Sequence, residues 1–152
     1  MLKVLFICHG NICRSPMAEY LFKKIVHDNG LENEFVIESK ATSSEEIGNP
    51  IHYGTRKILN KYNINSSNHR ARKINMSDYG YFDYIICMDK NNMRNLYRMF
   101  GSNSKFTMLL DYPNLNRDVL DSWYTGDFES TYKDIELGIN SFLNYLIDNH
   151  KI

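Results

Sequence analysis

The chain has 152 residues, 43% of them hydrophobic, and its 18 basic and 18 acidic side chains give a formal net charge of zero. This length suits one domain with its own hydrophobic core, and the balanced charge gives no electrostatic reason to expect a nucleic acid or a membrane as partner. No apolar segment is long enough to span a bilayer, and three cysteines are too few for a disulfide framework. We expect a cytoplasmic monomer with a single domain over residues 1–152.

Apolar periodicity predicts that strands and helices alternate along the chain. In chain order the predicted elements are strand 3–7, helix 16–29, strand 35–37, loop 41–50, helix 51–62, loop 63–74, strand 84–88, helix 90–99, strand 106–110, loop 111–125 and helix 130–149. This alternation is typical of an α/β fold. We predict one three-layer domain, in which helices cover both faces of a four-stranded parallel sheet.

The segment after the first strand has the residues of an anion-binding loop. Gly10 lets the backbone curl, and Pro16 suits the first turn of a helix, where no N–H is needed. The backbone N–H groups of such a loop converge on an anion, and the positive end of the helix points at it. Arg14 adds a permanently charged fork that can hold two oxygens. We call residues 8–15 the phosphate loop.

Cys8 is the candidate nucleophile of this loop. In parallel sheets, ligands bind outside the carboxyl ends of the strands, which is where Cys8 lies. The helix dipole and Arg14 favour a thiolate there, and a thiolate in an anion-binding loop predicts attack on phosphorus. A nucleotide-binding P-loop is excluded, because no Lys-Ser or Lys-Thr pair follows Gly10.

A known signature is similar to this loop: Cys8-His9-Gly10-Asn11-Ile12-Cys13-Arg14-Ser15-Pro16 resembles the motif of the low-molecular-weight protein tyrosine phosphatases. The similarity covers essentially the whole chain. It implies hydrolysis of phosphotyrosine in a protein substrate, by double displacement through a phosphocysteine and without a metal or other cofactor. It also implies that Arg14 and the loop backbone stabilise the phosphate charge. The other implied substrate-binding residues of the loop are His9, Gly10, Asn11, Ile12, Cys13 and Ser15.

The reaction needs a proton donor opposite the nucleophile, because attack on a phosphomonoester expels an alkoxide or phenoxide. Spacing alone does not choose among the four candidate carboxylates, which are Asp111, Asp118, Asp121 and Asp127. In the family the acid lies in an Asp-Pro-aromatic-aromatic segment, which Asp121-Ser122-Trp123-Tyr124 resembles. The resemblance implies that Asp121 is the general acid.

The residues after Asp121 bear on the shape of the cleft. Trp123 and Tyr124 would form a wall that stacks on a phenyl ring. Ser122 stands where the family has proline, so we expect a less rigid acid loop.

A supporting network is predicted behind the phosphate loop. Asn11 and Ser15 have side chains suited to bonding the loop's own backbone. In the family, a serine after the second strand and a histidine from a later loop join this network, and Ser39 and His69 occupy the matching positions. Without the resemblance, His69 would be interpreted as an ordinary loop histidine.

The other cysteines have two different interpretations. Cys13 lies in the phosphate loop, and the resemblance implies that it can trap an oxidised Cys8 as a disulfide. Alternatively Cys13 only packs, and both roles can hold together. Cys87 lies within an apolar strand and is interpreted as a core residue.

The rim of the predicted cleft is charged. His9 departs from the apolar residue common at that place in the family, and Glu45 and Glu46 fall where the family carries a substrate-facing loop. An acidic pair there would disfavour acidic peptides, unless it only forms a solvated loop. The remaining histidines show no metal-ligand spacing and are interpreted as surface residues: His27, His52 and His150.

Three other functions compete with the phosphotyrosine hypothesis. A protein arginine phosphatase carries threonine where this chain has Ile12, and an apolar side chain there favours a phenyl ring over a guanidinium. A thioredoxin-coupled arsenate reductase on the same fold uses two further cysteines; Cys87 matches the first, but residues 91–94 contain no partner. A phosphate-binding module without catalysis is disfavoured by the intact nucleophile, arginine and acid.

Overall fold

The computed structural model describes residues 1–152, and its sheet contains β1 (Leu2–Cys8) as an inner strand. It pairs in parallel with β2 (Phe35–Ala41) on one side and with β3 (Tyr84–Cys87) on the other. β4 (Phe106–Met108) pairs in parallel with β3, so that the strand order is β2-β1-β3-β4. The predicted four-stranded parallel sheet is confirmed.

Helices cover both faces of this sheet. They are α1 (Arg14–Asp28), α2 (Tyr53–Lys61), α3 (Met76–Tyr81), α4 (Lys90–Phe100), α5 (Ser122–Thr125) and α6 (Phe128–Asp148). Two short 3-10 turns, Glu32–Glu34 and Leu109–Asp111, complete the regular structure. None of the helices combines the length and the apolar character that crossing a bilayer requires.

The alternation of side chains along β1 builds two cores. Val4 and Phe6 are fully buried in the larger core, which α1 and α6 share. Leu5 and Ile7 point to the opposite face and are fully buried in a smaller core with Leu96 of α4. Because successive residues of a strand face opposite sides, an uninterrupted apolar run is what a central strand of a three-layer domain requires. The predicted three-layer fold is confirmed.

The carboxyl end of β1 is the point where the direction of strand addition reverses. The chain passes from β1 through α1 to β2 on one side, and later adds β3 on the other side of β1. Ligands of open parallel sheets bind at such a reversal, because the connecting segments diverge and leave a crevice. Cys8 is the last residue of β1 and lies at this crevice.

Two helices and part of one strand escape the sequence prediction. α3 has no apolar stripe and is held instead by a capping box, in which Asn75 and Asp78 exchange side-chain and backbone hydrogen bonds. α5 is a single turn within the predicted 111–125 loop. β2 runs to Ala41 rather than residue 37, because its ladder with β1 continues to the pair Cys8–Ala41; the polar residues of this half include Lys40, which is buried in an ion pair with Asp78 at 2.7 Å.

Candidate active site

Asn11 holds the phosphate loop in its curled conformation. Its φ of 60° lies in the left-handed region, which asparagine tolerates better than most residues. The Asn11 Nδ2 donates to the Oγ atoms of Ser15 and Ser39, both at 2.9 Å, and Oδ1 accepts the backbone N–H of Arg72 at 3.1 Å. The side chain is buried, so these bonds are shielded from water.

His69 contacts the backbone of Asn11. The Nε2–H of His69 donates to the carbonyl oxygen of Asn11 at 2.7 Å, and the ring packs edge-on against Tyr20. Burial lowers the pKa of His69 below its ordinary value, which favours the neutral ring. The predicted network of Asn11, Ser15, Ser39 and His69 is thus assembled in one place.

A buried carboxylate extends this network, and it was not predicted from the sequence. Glu19 Oε1 accepts the hydroxyl of Ser39 at 2.6 Å, and Glu19 Oε2 pairs with Lys23 at 2.5 Å. Because Ser39 donates to Glu19, its oxygen is free to accept the Asn11 amide. The spacing could have indicated this contact, because Glu19 follows Ser15 by one helical turn on the buried face of α1.

Two donors are aimed at the sulfur of Cys8. The backbone N–H of Asn11 lies 3.3 Å from Sγ, and the hydroxyl of Ser15 lies 3.0 Å from it. Since the Ser15 oxygen already accepts the Asn11 amide, its proton can point at Cys8. Both donors come from residues of the phosphate loop, and Ser15 also belongs to the first turn of α1.

Arg14 is buried, lines the same cleft as Cys8 and donates to two acceptors at 2.8 Å. Its Nη1 donates to Asp89 Oδ2 and to the carbonyl of Val119, both at 2.8 Å, while Nη2 lies 3.5 Å from Asp121 Oδ2. Burial works against the charge, but the charges of Cys8, Asp89 and Asp121 outweigh it and raise the pKa of Arg14.

Asp89 is a second residue in contact with the candidate site that the sequence analysis did not predict. It caps the start of α4, directly after β3, and accepts the backbone N–H of Asn92 at 2.7 Å. Its other oxygen orients the Arg14 guanidinium. The signal was its place at the carboxyl end of the neighbouring strand, where polar residues converge on the crevice.

Among the four candidate acids, only Asp121 lines the cleft. It caps α5, and its Oδ1 accepts the backbone N–H of Trp123 at 3.1 Å. The other three carboxylates accept backbone N–H groups elsewhere: Asp111 from Met108, Asp118 from Lys90 and Asp127 from Ser130. The geometry separates four residues that spacing left equivalent.

The cleft itself has a volume of about 220 Å³. It is lined by Cys8, His9, Gly10, Ile12, Cys13, Arg14, Glu45, Glu46, Asp121, Trp123 and Tyr124. Trp123 and Tyr124 are 55% and 84% exposed, so much of each ring is accessible to a bound substrate. Asn11 and Ser15 belong to the phosphate loop, but both are buried and neither lines the cleft, although both were predicted to bind substrate.

The rim carries an ion pair between two loops. His9 Nε2 lies 3.1 Å from Glu45 Oε2, and both side chains are at least half exposed. Glu46 accepts a hydrogen bond from Asn49 at 2.5 Å. The predicted acidic rim therefore faces the cleft, and His9 neutralises part of it when protonated.

Cys13 and Cys87 differ in their access to the cleft. Cys13 lines it, and burial, followed by the charge of Cys8, raises the pKa of Cys13 to about 12, so this thiol is neutral at physiological pH. Cys87 is fully buried in the smaller core, which confirms its interpretation as a core residue, and burial raises its pKa as well.

The interpretation of His52 as a surface residue was wrong. The residue is half-buried and caps α2, with its Nδ1 accepting the backbone N–H of Gly54 at 3.0 Å. Its ring packs between those of Trp123 and Phe128. Residues 51–52 accordingly precede the helix that was predicted to begin at 51, although Ile51 is buried as expected.

Comparison with known proteins decides the family. The model of the family described as "Low molecular weight phosphotyrosine protein phosphatase" matches residues 3–151. The chain belongs to the low molecular weight phosphotyrosine protein phosphatase family. This match confirms the family that the phosphate-loop motif indicated, and it extends the similarity to nearly the whole chain.

Relatives of this phosphatase family share both sequence and structure with the chain. The Gallus gallus low molecular weight phosphotyrosine protein phosphatase is 40% identical over 147 residues, covering 92% of each chain. The crystal structure of YfkJ from Bacillus subtilis, 39% identical, superposes with a TM-score of 0.94 and covers 98% of this chain and 96% of its own. The crystal structure of DARP, the Drosophila arginine phosphatase, is 29% identical with a TM-score of 0.87, over 95% of this chain and 97% of its own.

Proposed function

We propose that this chain is a single-domain protein tyrosine phosphatase, which hydrolyses phosphotyrosine monoesters in proteins through a phosphocysteine and without a metal. One observation carries the proposal: Cys8, Arg14 and Asp121 line the same cleft, at the carboxyl end of β1, beside two exposed aromatic rings. The names of the Gallus gallus and Bacillus subtilis relatives support the same activity.

In the first step, the Cys8 thiolate attacks phosphorus while the bond to the tyrosine oxygen breaks. The electron pair of that bond leaves with the phenolic oxygen, and a protonated Asp121 gives it a proton, so that neutral tyrosine departs. The position of Asp121, 3.5 Å from the Arg14 guanidinium, places it beside the group that holds the phosphoryl oxygens. The product is phosphocysteine.

In the second step, water attacks phosphorus on the opposite side from sulfur. Asp121, now a carboxylate, takes a proton from this water, and the S–P bond breaks to release phosphate. The Ser15 hydroxyl and the Asn11 N–H, at 3.0 and 3.3 Å from Sγ, receive the sulfur as a thiolate. The same two donors therefore serve the nucleophile in the first step and the leaving group in the second.

Arg14 and the loop backbone supply the charge stabilisation in both steps. A buried guanidinium oriented by Asp89 and by the Val119 carbonyl needs little reorganisation when charge develops on the phosphoryl oxygens. Asn11 and its partners, Ser39 and His69, keep the loop N–H groups aimed inward. These residues act by positioning, since none of them lines the cleft.

A protein arginine phosphatase is the second candidate, because the Drosophila arginine phosphatase has the same fold. The two substrates present different atoms next to phosphorus: a phenyl ring in one and a guanidinium with N–H groups in the other. Ile12 lines the cleft and offers no hydrogen-bond acceptor. Turnover of phosphotyrosine and phosphoarginine peptides, compared side by side in the presence of a metal chelator, tests the choice. We expect phosphotyrosine to be preferred, and a wild-type preference for phosphoarginine would reject it.

Ile12→Thr is expected to raise the phosphoarginine-to-phosphotyrosine ratio of kcat/KM. Threonine keeps the branched shape and adds an acceptor for a guanidinium N–H that would otherwise be desolvated without a partner. One net hydrogen bond is worth about 0.5–1.5 kcal/mol, so the ratio should shift several-fold to roughly tenfold. Ile12→Val is the matched control, since it changes the size of the side chain without adding an acceptor, and it should leave the ratio near the wild-type value.

An arsenate reductase of this fold would need a chain of accessible cysteines. Cys87 is fully buried in the smaller core and does not line the cleft, and residues 91–94 contain no cysteine. A disulfide relay has no second exchange partner in this arrangement. These observations favour the phosphatase.

We also propose that the enzyme is reversibly sensitive to oxidation and works in the cytoplasm as a monomer. Cys8 and Cys13 line one cleft, and all three cysteines are free thiols, which suits a reducing compartment. The residues of the proposed mechanism, Cys8, Arg14 and Asp121, line one cleft of a single chain.

Cys13→Ser is expected to impair recovery from peroxide. In the wild-type protein, Cys13 can condense with the sulfenic acid of Cys8, which forms an S–S bond and releases water, and dithiothreitol then reduces this disulfide. Without Cys13 the sulfenic acid is open to irreversible oxidation. The measurement is the activity regained after a peroxide pulse and dithiothreitol, with Cys87→Ala as the control. Equal recovery in wild type and Cys13→Ser would restrict Cys13 to packing.

A further inference from the structure

His52 touches both halves of the proposed active site. Its backbone N–H donates to the carbonyl of Ile12 in the phosphate loop at 2.8 Å. Its ring meets the Trp123 ring nearly at right angles, with centroids 5.3 Å apart, and stacks on Phe128 at 5.1 Å and 14°. The phosphate loop and the segment that carries Asp121 come from distant parts of the sequence, and this one residue contacts both.

The Trp123 contact bears directly on the proposed acid. The backbone N–H of Trp123 donates to Asp121 Oδ1, and the other carboxylate oxygen lies 3.5 Å from Arg14, so the Trp123 peptide is one of the two groups that orient the Asp121 carboxylate. Ser122, between them, lacks the ring of a proline, and its buried hydroxyl has no hydrogen-bond partner in the protein. The side chain of Ser122 therefore adds no hydrogen bond that would hold the segment. The packing of the Trp123 ring against His52 is a contact that holds it.

The other side of the His52 ring is fixed by a close approach. A Cβ on Gly54 would lie 2.5 Å from ring atoms of Phe128, which means that the Phe128 ring fits against α2 only because residue 54 is glycine. Gly54 also donates its N–H to His52 Nδ1. The imidazole is thus held in one orientation by a cap on one edge and by Phe128 on one face.

We propose that His52 is a positioning residue for the proton transfer: its ring anchors Trp123 and thereby aims Asp121 at the leaving oxygen above the phosphate loop. This rests on the proposed phosphatase function and on Asp121 as its acid. The anchor stands in for the rigidity that a proline at position 122 would give. The contribution of the ring is confined to the proton transfers of Asp121, because other residues hold the Cys8 sulfur and Arg14, and His52 contacts the phosphate loop through its backbone rather than its ring.

Two substitutions separate the two interactions of the ring. His52→Asn keeps a good helix cap but removes the ring, whereas His52→Phe keeps an aromatic ring but removes the cap. We expect His52→Asn to lower kcat/KM for phenyl phosphate by roughly threefold to tenfold, the range that an aromatic contact supports. For p-nitrophenyl phosphate, whose leaving group hardly needs a proton, the loss should be much smaller. His52→Phe should stay close to wild type on both, and His27→Asn, on an exposed histidine of α1, is the control.

Trp123 supplies a readout that does not depend on activity, because it is the only tryptophan of the chain. Acrylamide should quench its fluorescence more strongly in His52→Asn than in wild type, and His52→Phe should restore the protection. The inhibition constant of inorganic phosphate should be the same in all three proteins. Thermal unfolding shows whether each variant is folded at the assay temperature.

Three results would overturn the proposal. One is unchanged quenching of Trp123 in His52→Asn. Another is an equal loss on both substrates together with weaker phosphate binding, which would limit His52 to its contact with Ile12. The third is a defect in His52→Phe and none in His52→Asn, which would limit the role of His52 to capping α2.

Adding His52→Asn to Asp121→Asn should lower phenyl phosphate turnover no further. If Asp121→Asn alone shows no leaving-group dependence, the acid assignment fails, while the quenching still reports the anchor.

Discussion

Cys8→Ser is expected to remove turnover while phosphate still binds. A serine hydroxyl at this position stays protonated and is a poor nucleophile, and deleting a catalytic nucleophile in other enzymes costs on the order of 10⁶-fold in kcat. The groups that hold phosphate are unchanged, because Arg14 is fixed by Asp89 and Val119 and the loop is fixed by Asn11. Steady-state kinetics and calorimetric titration with phosphate measure the two properties separately.

Labelling of the wild-type thiol provides the matching positive result. Iodoacetate at mildly acidic pH should alkylate Cys8 once per chain, and phosphate should block the reaction. Cys13 should not react under these conditions, because burial raises its pKa to about 12, and Cys87 is inaccessible. Cys13→Ser is the control and should keep its turnover in reducing buffer. Full activity of Cys8→Ser would end the phosphocysteine mechanism.

The phosphate loop could be predicted because the residues that specify it are adjacent in the sequence. An apolar run, a glycine, an arginine and a proline within residues 4–16 specify a strand, a curled loop and a helix start. Periodicity then predicted the parallel sheet, since each predicted strand is buried on both faces or alternates in burial. The short helices α3 and α5 escaped because caps hold them, and caps leave no periodic pattern.

The partners of the phosphate loop could not be predicted, because they come from remote segments. Asp89 is 75 residues from Arg14, and Arg72 reaches Asn11 through its backbone, where no side chain carries a signal. His52 illustrates the same limit: its role depends on Trp123 and Phe128 being folded against α2. Family resemblance identified Ser39, His69 and Asp121, and only the folded arrangement indicates what each of them contacts.

Asp121→Asn is expected to slow substrates in proportion to the basicity of their leaving groups. Loss of a positioned general acid typically costs about 10²–10⁴-fold, so kcat/KM for phenyl phosphate and phosphotyrosine should fall within that range. Substrates with acidic leaving groups should fall least, because the leaving oxygen carries its negative charge without help. Asparagine keeps the cap on α5, since its amide oxygen can accept the Trp123 N–H as the carboxylate does at 3.1 Å.

Asp118→Asn is the matched control for this prediction. Asp118 belongs to the same loop, but its carboxylate accepts the backbone N–H of Lys90 at 3.1 Å and does not line the cleft. Its substitution should leave the leaving-group dependence unchanged. A plot of log kcat/KM against leaving-group pKa, for both variants and wild type, measures the effect. A steeper slope in Asp118→Asn, with a wild-type slope in Asp121→Asn, would transfer the role of acid to Asp118.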